Sequence, residues 1–194
     1  MFEADNFAET FCNFSYIYSE ISNTEFEACT FEGCDFTQTK FKSSIFSECH
    51  FKSCDLTLAN LLDTKFSACR FSSSKLIGID WSRADWSALV RIPLTFENST
   101  LQSSSFWGID MSKWKIIECN ASDVDFREAN LTQANLSNTD FSKALFRNTN
   151  LTDANFTDSK NFDIDIRQNK ITRAQFNRFE ALRLLEGLGI VLKP

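Results

Sequence analysis

Seven cysteines and a single histidine are the residues of this 194-residue chain best suited to metal binding or nucleophilic chemistry. Cysteine thiolates and imidazole nitrogens are the usual zinc ligands, and a cysteine beside a histidine is a common nucleophilic pair. Six of the cysteines stand at separations that are multiples of five: Cys29, Cys34, Cys49, Cys54, Cys69 and Cys119. Whether they form a site depends on the element that carries this spacing.

A period of five residues runs through the whole chain. Large apolar residues occupy every fifth position from Phe11 to Phe176, with Arg91, Ala121 and Asn161 as exceptions. We call these the centre positions. Neither the period of about 3.6 residues of an amphipathic helix nor the alternation of a strand gives this pattern. A short fixed period indicates a repeat architecture.

Small side chains form a second column, two positions before each centre. This column contains the six regularly spaced cysteines and residues such as Thr39, Ser44 and Ala129. The other three positions of each repeat are mostly polar, so both columns are predicted to point into a narrow shaft. Thiols stacked about 4.8 Å apart do not converge on one ion with bonds of about 2.3 Å. We therefore predict buried structural cysteines, with Cys12 outside the column, and neither a metal nor a cofactor.

The histidine and the tryptophans receive structural interpretations as well. His50 precedes the centre Phe51, faces outward, and has no second imidazole for acid–base or triad chemistry. Trp81 and Trp86 occupy centres and Trp114 lies in the small column, so all three are predicted in the core. Trp107 is predicted to face solvent.

The sequence resembles the pentapeptide-repeat family, whose motif A(D/N)LXX is nearly ideal in Ala129-Asn130-Leu131-Thr132-Gln133. The resemblance covers about residues 9 to 176. It implies an all-β fold, a right-handed quadrilateral β-helix in which four repeats make one coil. The 34 centres would give 8.5 coils, and so a rod roughly 41 Å long.

One segment of the shaft breaks the pattern. The stretch around Arg91 and Pro93 has neither a good centre nor a small inward residue. Proline also lacks the N–H that a sheet ladder needs. We predict a short loop here, which would preserve the register if its length were a multiple of five.

The period becomes helical after Phe176, which divides the chain into a shaft (1–176) and a C-terminal segment (177–194). Asn177 and Glu180 fit a capping box, and a helix is predicted over about residues 178–186. Two interpretations remain open: a hydrophobic plug on the last coil, or a plug that also forms a twofold dimer. The predicted dimer residues are Phe179, Leu182, Leu185, Leu188, Ile190, Val191 and Leu192.

This ending resembles the C-terminal segment of the Qnr-type quinolone-resistance proteins. The resemblance rests on Asp163-Ile164-Asp165-Ile166-Arg167, Ile171, Phe176 and the apolar residues that follow. It implies a dimeric rod that shields DNA gyrase and topoisomerase IV from poisons. Several members of that subfamily carry projecting loops, whereas this chain has room only for the short one near Arg91.

Charge bears on the proposal that such rods mimic DNA. Residues 1–168 carry 24 acidic and 15 basic side chains, against 2 and 5 in residues 169–194. Assigning positions modulo twenty to the four sides groups Asp85, Asp125, Glu128 and Asp165 on one side, with a net charge of −3. We predict this acidic side as the partner-binding face. A solvated polar surface without mimicry is the alternative.

The net charge of −6 argues against direct nucleic-acid binding. No stretch of about 18 residues is free of charge, so no membrane segment is predicted. The start Met1-Phe2-Glu3-Ala4-Asp5 lacks the basic residues of a signal peptide, and we expect a cytoplasmic protein. The leading hypothesis is a dimeric resistance or immunity protein that protects a type II topoisomerase and has no catalytic activity. The alternative is an interaction scaffold with an unrelated partner, and an enzyme is a distant third.

Overall fold

Five-residue steps form the sides of square coils, and the coils stack into a right-handed quadrilateral β-helix. The computed structural model describes residues 2–87, 92–188 and 190. Its strands are β1 Asp5–Phe7, β2 Thr10–Cys12, β3 Glu20–Ser22, β4 Glu25–Glu27, β5 Thr30–Glu32, β6 Lys40–Lys42, β7 Ile45–Ser47, β8 His50–Lys52, β9 Lys65–Ser67, β10 Arg70–Ser72, β11 Thr95–Glu97, β12 Lys115–Ile117, β13 Asn155–Phe156 and β14 Gln175–Phe176. Two 3-10 helices span Trp81–Arg83 and Glu180–Leu188.

Every strand pair is parallel and joins equivalent positions of adjacent coils, as Phe31 pairs with Phe51. Side A of the shaft carries β1, β4, β7 and β9. Side B carries β2, β5, β8, β10, β11 and β12, and farther along β13 and β14. Isolated bridges such as Asp35 with Asp55 build side C, and β3 and β6 begin side D. The predicted architecture is confirmed.

Stacked aromatic rings fill the shaft. The rings of Phe31 and Phe51 lie 4.8 Å apart and nearly parallel, and Phe71 continues the stack at 4.8 Å. Each ring also contacts rings of neighbouring sides edge to face, as Phe31 does with Phe36 at 5.6 Å. Burial of one such side chain stabilises the fold by about 1.5–3 kcal/mol. The centre column is therefore the main source of stability.

The small inward column stabilises the coils through hydrogen bonds as well as by its size. Thr39 Oγ1 donates to the carbonyl of Tyr16 at 2.7 Å, and Thr139 Oγ1 donates to that of Ile116 at 2.9 Å. The cysteine thiols lie in the same position, as Cys54 does against the carbonyl of Phe31 at 3.2 Å. Burial raises the pKa of Cys54 to about 12. These thiols are thus buried donors, as predicted, while Cys12 is exposed.

The corners require left-handed backbone. Residues two positions after most centres have left-handed φ, as Asn13 (+55°), Asn98 (+49°) and Lys113 (+62°) do. This conformation costs roughly 1–2 kcal/mol for most residues and least for Asn, Asp and Gly. The repeated corners explain why polar residues collect at this position.

Asn6 and Phe2 close the N-terminal end of the shaft. Asn6 occupies a centre position one step before the pattern seen in the sequence, and it is 3% exposed. Its amide donates to the carbonyls of Glu3 and Glu25. The Phe2 ring stacks on Tyr16 at 4.8 Å and covers the first aromatic layer.

The predicted loop occurs as an insertion of one repeat. Phe51 pairs with Phe71, 20 residues on, but Phe71 pairs with Phe96, 25 residues on. Arg91 lies outside the described residues, whereas Pro93 is half-buried. The five extra residues leave the spacing of centres unchanged in the sequence, which is why the pattern resumes in register.

This insertion makes the modulo-twenty assignment of sides wrong beyond residue 91. Phe106 stacks on Trp81 at 5.6 Å, and Phe126 stacks on Phe106. These centres therefore lie on side D, and not on side A with Phe26 and Phe46. Any surface that joins residues before and after the insertion must be reassigned.

Asn161 is not a centre, contrary to the sequence pattern. Its side chain turns outward and donates to Asp140 Oδ1 at 3.0 Å. Phe162 enters the core instead and is fully buried. Ile164 then pairs with Phe146, which leaves the predicted centre Ile166 half-buried. Burial of an unpaired amide is costly, and the adjacent phenylalanine removes that cost.

The C-terminal helix is present, but it is a 3-10 helix over Glu180–Leu188 rather than an α-helix over 178–186. The capping box does not form. Asn177 donates its amide to Asp158, and the Glu180 carboxylate accepts from the backbone N–H of Asn161. Both predicted capping residues therefore bind the last coils of the shaft.

Phe106→Asp tests the stacked core, because it places a carboxylate between Trp81 and Phe126. We expect the variant to lose several kcal/mol, on the order of the cost of an unpaired buried charge. Thermal melts followed by circular dichroism should show loss of the cooperative transition. The control is Trp107→Asp, one residue on, where the side chain is 49% exposed. Equal effects of the two variants, or a helix-dominated parent spectrum, would contradict the architecture.

Candidate protein-interaction surfaces

The residues that suggested metal or catalytic chemistry are structural in the described ranges. No group of three His, Cys, Asp or Glu residues there is placed to hold a metal ion. His50 Nε2 lies 2.7 Å from Ser72 Oγ on the surface of side B. Burial, followed by the charges of Arg70 and Lys52, lowers the pKa of His50. We assign this pair to side-chain contact between adjacent coils.

Three of the four predicted acidic-face residues are paired with a basic side chain. Asp125 accepts two hydrogen bonds from the Arg127 guanidinium, at 2.9 and 2.7 Å. Asp165 accepts the same pair from Arg167. Asp85 lies 3.5 Å from Lys65. Their charges are therefore largely compensated locally.

The same aspartates also shape the backbone. Asp125 Oδ1 accepts from the N–H of Arg127, two residues on, and Asp85 accepts likewise from Ser87. This local turn recurs along the shaft with Asp or Asn in the position before the centre. Further examples are Asp35, Asp55, Asn60, Asp80, Asp110, Asn120, Asn130, Asn135, Asp140, Asn150, Asn155 and Asp165. The Asp or Asn of the repeat motif could have predicted this turn from the sequence, but the sequence analysis did not interpret it in that way.

The prediction that all four acidic residues share one side is wrong. Asp85 follows Lys65 on side A, where its N–H donates to the carbonyl of Thr64. Asp125 bridges Ser105, which bridges Asp80, so it lies on side D. Glu128 lies two positions after Phe126, the centre that follows Asp125, and it is exposed. The insertion of five residues moves the later acidic residues around a corner from Asp85.

An apolar cluster lies exposed at the C-terminal end of the shaft. Phe179 is 81% exposed, and Leu182, Leu188 and Ile190 are 42–49% exposed. We call these four residues the C-terminal patch. Leu185 is half-buried, whereas Val191 and Leu192 lie outside the described residues. Contact with the core is made by Leu184, which sequence reasoning missed.

The tryptophans divide largely as predicted. Trp81 and Trp114 are buried, and Trp107 is 49% exposed on side D. Trp86 is only half-buried, and it precedes the point at which the spacing of paired centres changes from 20 to 25 residues. No helix in the described ranges is long and apolar enough to span a bilayer.

The chain belongs to the pentapeptide-repeat family. A profile described as a pentapeptide repeat region matches residues 24–106 and 99–176. No curated protein sequence matches the chain.

Two solved QnrB1 structures show the same fold. A trypsin-treated form of QnrB1, a plasmid-mediated fluoroquinolone resistance protein, superposes with a TM-score of 0.75 and 20% identity, over 97% of this chain and 100% of that one. A second trypsin-treated QnrB1 structure superposes with a TM-score of 0.52 and 23% identity, over 98% of this chain and 92% of that one. HetL, a pentapeptide-repeat protein involved in the regulation of heterocyst differentiation in the cyanobacterium Nostoc, has a TM-score of 0.45 and 13% identity. The match covers 88% of this chain and 86% of HetL.

Substitutions of Asp125 separate its turn from its charge. Asp125→Asn retains the acceptor for the Arg127 N–H, whereas Asp125→Ala removes it. Loss of a hydrogen bond of this kind costs about 1 kcal/mol, and loss of an exposed ion pair costs at most about 1 kcal/mol and often nothing. We therefore expect urea unfolding at pH 7 to show a larger loss for Ala than for Asn. Glu128→Ala is the control and should be neutral.

The pH dependence of the same variants gives a second measurement. Partial burial opposes ionisation of Asp125, but the hydrogen bonds and charge of Arg127 outweigh it and hold the pKa of the carboxyl below its ordinary value. Its stabilising effect is present above the unfolded pKa of about 3.9 and is lost as pH falls through the lower folded pKa. Stability of the parent should thus fall more than that of Asp125→Asn under acid conditions. An Asn variant as unstable as Ala at pH 7 would contradict the turn role.

Proposed function

We propose that this chain is a dimeric, non-catalytic rod that binds a type II topoisomerase, gyrase or topoisomerase IV, and protects it from poisons. The observation that carries the proposal is the superposition on QnrB1 along the full length of both chains. The resemblance in the C-terminal segment to the Qnr-type proteins supports it independently of the shared repeat. Such a partner acts on chromosomal DNA, so the proposed location is the cytoplasm.

Dimerisation through the C-terminal segment is supported by the exposure of its apolar side chains. Phe179, Leu182 and Leu188 are exposed and spaced by multiples of three residues, and side chains three residues apart align along a 3-10 helix. Contiguous apolar surface rimmed by polar residues commonly marks a protein interface. A twofold pair would bury the same patch of both subunits. The proposed interface also includes Leu185, Val191 and Leu192.

The dimensions of such a dimer suit a groove that holds duplex DNA. About eight coils at about 4.8 Å each give a shaft near 40 Å, and a dimer would be about twice as long. This is roughly the length of 23 base pairs at about 3.4 Å each. The dimer would therefore match, in length, the duplex that such a groove holds.

Charge contributes less to this proposal than the sequence suggested. Asp125 and Asp165 on side D are each bound by the arginine two residues on. We therefore propose that Asp125 and Asp165 with their arginines, together with Glu128, present alternating charges to the partner, with Asp85 around the corner on side A. Such a surface favours a specific protein contact over general competition by negative charge. It also favours the alternative function, an interaction scaffold with an unrelated partner.

Light scattering tests the dimer. The intact chain should give twice the monomer mass of 22.2 kDa, and Leu182→Glu should give a folded monomer because it places a charge in the C-terminal patch. The matched control is Ile17→Glu on side C of the shaft, since Ile17 and Leu182 are 40% and 47% exposed. A parent that remains monomeric at micromolar concentration would exclude the dimer.

A cleavage assay tests the function. Purified protein added to gyrase, plasmid and a fluoroquinolone should reduce the linear DNA product in proportion to its concentration, saturating near one dimer per enzyme complex. Leu182→Glu should lose this protection and Ile17→Glu should retain it. No protection of either gyrase or topoisomerase IV by the folded parent would favour the scaffold function instead.

A further inference from the structure

Two exposed apolar side chains share side D of the shaft. The centres Phe106, Phe126 and Phe146 stack along this side, so the residues that flank each centre point outward. Trp107 follows the first of these centres and is 49% exposed, and Leu145 precedes the last and is 48% exposed. Two coils separate these side chains by about 10 Å along the shaft. Both are therefore presented from one rigid face.

Leu145 occupies a position where many coils use aspartate or asparagine to form a turn. Its equivalent in the preceding coil, Asp125, accepts the N–H of Arg127 at 3.0 Å. A leucine side chain has no acceptor to offer the N–H of Arg147. Because it is half exposed, it also gains only part of the free energy of apolar burial. Departures from a local rule without a gain in stability are typical of functional sites.

The charges around these side chains are nearly balanced. They come from three arginines and four carboxylates: Arg127, Arg147, Arg167, Asp125, Glu128, Asp163 and Asp165. Arg127 is bound by Asp125, and Arg167 by Asp165. Arg147 forms no ion pair within the part of the chain that the structure describes. Such a face is complementary to a surface of mixed charge that offers a carboxylate to Arg147.

A recess lies beside Leu145 where side D meets the last coil. The coil is two residues short here, since Phe146 pairs with Ile164, 18 residues on rather than 20. The recess has a volume of about 330 Å³ and is lined by Leu145, Arg147 and Asp163, among others. It therefore offers both an apolar wall and charged groups to a side chain from another molecule.

We propose that Trp107, Leu145 and Arg147, which we call the side D patch, form the contact with the topoisomerase. This proposal rests on the function proposed above and names its contact. Trp107 and Leu145 pack into apolar surface of the enzyme, and Arg147 donates to one of its carboxylates. Tryptophan and arginine are the side chains that most often dominate the free energy of a protein interface. The patch is separate from the C-terminal patch, so a twofold dimer presents it twice.

Binding of the full chain to immobilised gyrase tests the patch. Trp107→Ser should weaken binding by at least about thirtyfold, as the loss of a central interface tryptophan does. Leu145→Asn and Arg147→Gln should each weaken it by about tenfold. All three variants should keep the dimer mass in light scattering, because none of them changes the C-terminal patch.

Leu145→Asn also separates binding from folding. Asparagine supplies the turn acceptor that the N–H of Arg147 lacks, so the melting temperature of this variant should equal or exceed that of the parent. The matched controls are Ile17→Asn, at a side chain of side C that is 40% exposed, and Lys143→Gln, at an exposed cation. Both should bind gyrase as the parent does.

The outcomes distinguish the patch from the function. Parent-like binding by all three patch variants would overturn the patch and leave the proposed function standing. Failure of the folded parent to bind gyrase or topoisomerase IV would overturn both. A fall of Trp107→Ser to monomer mass would assign the patch to a second copy of the chain and overturn the topoisomerase contact. Losses in the controls as large as those in the patch variants would also overturn it.

Discussion

The width of the shaft is the constraint on which the rest of this structure depends. A regular coil returns to the same side after twenty residues, so a centre side chain lies directly on its equivalent in the next coil, as Phe51 lies between Phe31 and Phe71. The interior holds one large and one small side chain per repeat, and stacked rings occupy much of it. An amide buried there without partners is costly, and Asn161 turns outward while Phe162 enters the core.

The surface of the rod is also constrained by the fold, because outward residues hold the corners. Aspartates before the centres accept backbone N–H groups, and residues after them adopt left-handed φ. Acidity along the shaft is therefore partly a consequence of turn chemistry and is a weak indication of DNA mimicry. Features that depart from the repeat are better indicators of function. They include the C-terminal patch and the exposed Trp107.

Sequence reasoning predicted the centre column, the small column and the buried cysteines, because a strict period leaves little freedom in which side chains point inward. It failed where the period carries no information. An insertion of five residues is invisible to a period of five, so Asp85 was grouped with Asp125 although they lie on different sides. The exchange of Asn161 for Phe162 depends on the cost of burying an amide, which spacing alone does not express. Asn177 and Glu180 bind the last coils of the shaft instead of forming the capping box that their spacing predicted.

The central claim, that the rod occupies the DNA-binding surface of a type II topoisomerase, is tested most directly by competition. Fluorescence anisotropy of a labelled duplex bound to gyrase measures whether DNA is displaced as the protein is added. We expect saturable displacement of the duplex by the parent, and loss of displacement with Leu182→Glu, which places a charge in the C-terminal patch. Simultaneous binding of duplex and protein, or no displacement at tens of micromolar, would contradict it.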